Sequence, residues 1–144
     1  MKVLVIDGQG GGVGKALVAA LKQHAPSFSI IALGTNATAT GAMLRAGADL
    51  AATGESAIRY QCKSADVIVG VAGILHANAL LGEISPAIAA AVSISEAEKV
   101  LIPMERCGLH IAGVAKLPLE ALITDAAIRV CALAAQNEHN QERT

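Results

Sequence analysis

The run Lys2-Val3-Leu4-Val5-Ile6, the loop Asp7-Gly8-Gln9-Gly10-Gly11-Gly12-Val13-Gly14-Lys15 and the apolar run Ala16 to Leu21 follow one another without a break. A strand that is apolar on both faces has to be covered on both sides, and a helix following it at once covers one of them. The order therefore predicts the start of a parallel α/β sheet. Five glycines between residues 8 and 14 exceed the one or two that a strand-to-helix turn needs, and each costs chain entropy. Bare backbone N–H groups at the positive end of a helix suit an anion such as a phosphate.

The alternation continues along the chain. Phe28 to Leu33 reads as a second strand halted by Gly34-Thr35-Asn36, and Ala37 to Ala46 as a helix with Gly47 at its left-handed C-cap. A short strand over 49–52, a helix over 54–64 and a buried strand over 67–73 come next. Ser85-Pro86 opens a helix to about Glu98, followed by a strand over 99–103, a short sixth strand over 109–113 and a last helix from Pro118 to about Ala135. Gln136 to Thr144 reads as a frayed polar tail. This pattern predicts a three-layer, doubly wound, Rossmann-like α/β domain with a mostly parallel sheet of five or six strands. With 144 residues, one domain over 1–144 is expected, large enough to bury roughly 68% of the unfolded chain's surface.

Composition narrows the partners. A net charge of -1 without a basic run lacks the footprint of a nucleic-acid binder. The longest apolar run, Val67 to Leu75, falls well short of the roughly 18 residues of a membrane span. With no secretory segment evident before the first strand, a cytoplasmic protein is expected. Cys62, Cys107 and Cys131 are odd in number and widely spaced, so neither a disulfide framework nor a zinc site is signalled, and His24, His110 and His139 add no metal-ligand spacing. Only Phe28 and Tyr60 are aromatic in a chain that is 53% hydrophobic, so a base would lie between aliphatic side chains. The high apolar content also predicts a homodimer or larger assembly, with the Ala-rich segment Pro86 to Val92 and the last helix as contact faces.

In a doubly wound sheet the ligand lies at the carboxyl ends of the strands, which selects the loops around residues 7–15, 34–36, 53–55, 70–78 and 103–108. Two chemistries compete for the first, beside the plainer reading of a tight strand-to-helix turn. Gly11-Gly12-Val13-Gly14-Lys15 resembles the deviant P-loop of partitioning-type ATPases, but Ala16 replaces the hydroxyl residue that would hold Mg²⁺. Gly8-x-Gly10-x-x-Val13 matches two of the three small residues of a dinucleotide fingerprint. The acidic residue expected after the second strand is replaced by Thr35 and Asn36, which suit a 2′-phosphate and lean the reading toward NADP over NAD or another nucleotide. Asp7 would repel a pyrophosphate unless turned away or paired, and Lys15 is the obvious partner.

The expected binding residues are thus Gly8, Gly10, Gly11, Gly12, Gly14, Lys15, Thr35, Asn36 and Asn78. His76, after the buried fourth strand, is an acid–base candidate. Cys107, beside Arg106, is a candidate for a lowered thiol pKa. Glu83 ranks below both, as a loop or helix-end charge.

Asp7-Gly8-Gln9-Gly10-Gly11, Ala32 to Ala37, Ala42 to Asp49 and Ala77 to Ile84 together resemble a family of small bacterial Rossmann-like proteins known as a domain of unknown function. The resemblance spans nearly the whole chain and implies a stand-alone Rossmann-like protein, without an established reaction to carry over. The reading that results is a nucleotide- or dinucleotide-binding module. The alternative is a small NAD(P)-dependent oxidoreductase or transferase that completes its site by oligomerisation, with a deviant P-loop NTPase behind it.

Overall fold

The computed structural model describes residues 1–104 and 108–141, with the side chains of 140 and 141 excepted. Five parallel strands form one sheet: β1 (Lys2–Asp7), β2 (Ser29–Gly34), β3 (Leu50–Thr53), β4 (Val67–Val71) and β5 (Glu98–Ile102), in the order β3-β2-β1-β4-β5. The helices are α1 (Gly12–His24), α2 (Ala37–Arg45), α3 (Glu55–Cys62), α4 (Pro86–Ile94) and α5 (Leu119–Gln141), with one turn of 3-10 helix over Ala72–Leu75. The chain is a doubly wound, Rossmann-like α/β fold. β1 lies at the centre, and strand order reverses between β1 and β4.

The period of two along the strands divides the core. Val3 and Val5 face one side, where they meet Leu17, Val18 and Leu21 of α1, Met43 of α2 and the Ile123, Ala126, Ala127 and Val130 stripe of α5. Leu4 and Ile6 face the other, against Ile58 of α3 and Ile88 and Val92 of α4. All four β1 side chains are fully buried, as a central parallel strand requires.

Three elements differ from the sequence reading. No sixth strand forms over 109–113: Gly108 and Gly113 both take left-handed backbone conformations, which break an extended run. Helix α4 ends at Ile94 because Ser95 leaves the helix, its hydroxyl donating to the Cys62 carbonyl at 2.6 Å and accepting from Ala97 N–H. Helix α5 runs on through Gln141, beyond the expected stop near Ala135. After Pro118 no glycine or proline interrupts it, so the loss of apolar period there did not mark a loss of helix.

Candidate functional site

The glycine loop leaves β1 at the centre of the carboxyl edge and enters α1 through Gly11, the N-cap, which is left-handed at φ 75° and supplies no side-chain cap. The capping comes from β1. Asp7, 7% exposed, accepts from Gly8 N–H at 2.8 Å through Oδ1 and from Gly14 N–H at 2.7 Å through Oδ2. Gly14 is the third residue of the helix, so Asp7 fills from the strand the place of an N-cap side chain. Burial pushes its carboxyl pKa up, the two backbone bonds pull it down, and the nearby Glu83 charge adds to the upward direction.

This settles where Asp7 points and corrects its partner. It lies beneath the loop, bonded to backbone, while Lys15 is exposed and takes part in neither ion pair of the described residues, Lys22–Asp49 and Arg129–Asp125. Lys15 N–H donates to the Gly11 carbonyl.

The glycines divide into two groups. A Cβ on Gly14 would stand 2.7 Å from Asp7 Cβ, and one on Gly11 2.7 Å from Ala39 Cα, so both are demanded by packing. Gly8 N–H goes to Asp7 and Gly11 N–H to the Gly8 carbonyl. These donors serve the fold. Gly10 and Gly12 are exposed, a Cβ on either would meet nothing within 4 Å, and neither has a positive φ. Among the described residues their N–H groups and that of Val13 find no acceptor.

Glu83 is the residue that the sequence reading underrated. Its Oε1 accepts from Thr35 Oγ1 at 2.7 Å, Asn36 Nδ2 at 2.7 Å and Gln9 N–H at 3.0 Å, while Oε2 receives the second branch of the Gln9 bond at 3.1 Å. Asn36 spends its remaining amide hydrogen on the Gln9 carbonyl and caps α2 by accepting from Ala39 N–H. Burial pushes the Glu83 carboxyl up, but the bonds from Thr35, Asn36 and Gln9 outweigh it and hold the pKa below the ordinary carboxylate value. Thr35 and Asn36 thus face an acid instead of an open pocket.

Glu83 is carried by a loop between the 3-10 turn and α4. Ala79 and Ile84 anchor this loop in the core, and bonds from Asn78 N–H to the Ile84 carbonyl and from Ile84 N–H to the Ala79 carbonyl close it. Asn78, Leu80 and Leu81 adopt left-handed conformations at φ 66°, 53° and 57°. Asn78 is exposed, and its role in the loop is its backbone. His76, also exposed, lies on the rim of an apolar cleft of about 120 Å³, lined also by Gln9, Val71, Leu80 and Met104. The cleft opens where strand order reverses, the place the topology favours for a ligand. Cys107 falls outside the described residues. Among those residues no group of three or more His, Cys, Asp or Glu could hold a metal ion, and no helix is long and apolar enough to cross a membrane.

A family model described as a domain of unknown function, DUF3842, matches residues 2–135. The chain belongs to the DUF3842 family. No curated protein matches it. Among solved structures, the DUF3842 chain is similar to a dodecameric FMN-dependent UbiX-like decarboxylase from Escherichia coli O157:H7, at 18% identity over 93% of this chain and 76% of that one, with a TM-score of 0.46. It is also similar to AibC, at 17% identity over 91% of this chain and 41% of that one, with a TM-score of 0.45.

Proposed function

We propose that this DUF3842 protein is a nucleotide- or dinucleotide-binding module whose ligand lies across the carboxyl edge of β1, with a phosphate over Gly10, Gly12 and Val13. The observation that carries this reading is the pair Gly10 and Gly12. Neither packing nor backbone angle demands glycine there, yet both bare their N–H groups at the start of a 13-residue helix. Backbone donors at a helix's positive end bind anions. The apolar cleft beside them offers a place for the uncharged part of the same ligand, and Gln9 belongs to both. A catalytic version of this reading rests on His76 at the cleft rim, where an imidazole would reach a ligand seated in the cleft.

The test separates binding from folding. Gly12→Asp puts a carboxylate over the exposed donors, with open space for the new side chain. A negative charge in the first turn raises helix stability by about 0.3–1 kcal/mol. The variant therefore melts higher than the wild type while losing the ligand. In a thermal-shift panel of NAD, NADP, ATP, GTP and coenzyme A, a ligand at 100 times its Kd stabilises the wild type by about 2.7 kcal/mol and leaves Gly12→Asp unshifted. No shift with any of the five overturns the reading.

A further inference from the structure

The donors Gln9 N–H, Thr35 hydroxyl and Asn36 amide converge on one point at the carboxyl ends of β1 and β2. Left open, three such donors would make a pocket for a phosphate. They are instead turned onto a single oxygen, Glu83 Oε1. On the reading that this rim holds a nucleotide, we infer that Glu83 makes the end of β2 a subsite that accepts hydroxyls of an unphosphorylated ribose and rejects a phosphate.

Two features of the chain maintain this arrangement. Gly8 lacks a Cβ where one would stand 2.7 Å from Thr35 Oγ1, 3.1 Å from Leu80 Cδ1 and 3.3 Å from Glu83 Oε1; any other residue would drive the carboxylate and the threonine away from the strand end. The loop carrying Glu83 is anchored by buried Ala79 and Ile84 and holds Leu80 and Leu81 in left-handed conformations. Left-handed conformations are disfavoured for leucine, and such strain persists where surrounding structure fixes it. The carboxylate is seated by a built loop, so an incoming anion meets a fixed charge with its donors already committed.

A hydroxyl meets the opposite situation. Oε2 receives only the longer branch of the Gln9 bond, and a carboxylate oxygen has room for further donors. A vicinal diol supplies two. The acid that holds ribose hydroxyls in dinucleotide sites usually follows the second strand; here the chain delivers it from a loop 74 residues beyond Gln9. The ground for favouring NADP, an absent acid beside Thr35 and Asn36, is thereby removed.

Isothermal titration of the full chain at neutral pH tests this with two matched pairs: NAD against NADP, which differ by a 2′-phosphate, and ADP against 2′-deoxy-ADP, which differ by a hydroxyl. The wild type binds NAD at least tenfold more tightly than NADP, and ADP more tightly than its deoxy form. Glu83→Gln, which keeps the side-chain shape, narrows the NAD-to-NADP ratio at least tenfold. Equal binding of NAD and NADP by the wild type, or an unchanged ratio in a folded Glu83→Gln protein, overturns the subsite and leaves nucleotide binding standing. Binding of none of the four by the wild type overturns the subsite, and overturns nucleotide binding as well when ATP, GTP and coenzyme A also fail to bind. The wild-type ratios need no variant, so the test decides even if Glu83→Gln does not fold.

Discussion

Asp7 carries two opposing influences that its amide analogue would separate. Burial disfavours its charge, while Gly8 and Gly14 N–H groups favour it. Asp7→Asn keeps the shape but replaces one acceptor with a donor, which must then face a backbone N–H that is itself a donor. A buried donor left without its acceptor costs about 1–3 kcal/mol, so urea unfolding at neutral pH shows Asp7→Asn destabilised by about 2 kcal/mol. The pH dependence has a definite sign. Because the folded Asp7 pKa is raised above 3.8, the folded state binds the proton in a window where the unfolded state has released it. Stability linked to Asp7 falls as pH rises through that window. Glu83, with a lowered pKa, contributes stability at higher pH that is lost as pH falls through its folded value. Asp7→Asn therefore removes the fall of unfolding free energy that Asp7 imposes as pH rises above 3.8, and leaves the Glu83 trend, which lies below 4.5, unchanged. The residue sequence showed the conflict at Asp7 because the charge sits beside a glycine loop. It did not show the resolution, since backbone N–H groups are invisible as partners and Lys15 was the nearest visible cation.

At the scale of elements, the strands and helices were largely legible because their signals are local: continuous apolar runs in β1 and β4, Ser85-Pro86 at α4, glycine at the end of α2. The loop from His76 to Ile84 was not. It has neither period, and its shape depends on left-handed conformations at Asn78, Leu80 and Leu81 that leucine disfavours and no composition rule announces. Glu83 was consequently visible as a rim residue but not as the group that Thr35 and Asn36 bind. The two leucines also separate strain from packing. Leu81 is 96% exposed, so Leu81→Gly relieves its backbone at little packing cost and stabilises the protein by about 1 kcal/mol. Leu80 packs into the core cluster beneath the loop and over Gly8, so Leu80→Gly forfeits apolar burial that offsets the same relief. Chemical denaturation of the two variants in parallel shows a gain only for Leu81→Gly.

The whole molecule raises the matter of what covers α5. A 23-residue helix is about 34 Å long, whereas a five-residue strand such as β5 extends only about 17 Å. The buried stripe of Ile123, Ala126, Ala127 and Val130 spans the length that the sheet can support. After Val130 no described residue is fully buried, yet the helix continues through Gln141. Within that stretch Leu133 still packs against the core cluster, whereas Gln136 to His139 are exposed. On the side of α5 turned away from the buried stripe, Ile128 is 52% exposed. The homo-oligomer expected from the apolar composition, with this last helix as a contact face, sets a second copy of the chain over Ile128 and does not require the nucleotide site. Small-angle scattering across a dilution series then gives a dimer or larger particle at high concentration. Ile128→Glu, which buries no charge in the monomer, shifts the dissociation to higher concentration at least tenfold, while leaving the melting of the dissociated chain within about 0.5 kcal/mol as expected for a surface change. A particle of monomer mass at every concentration would sink the assembly and leave the α/β domain and its rim untouched.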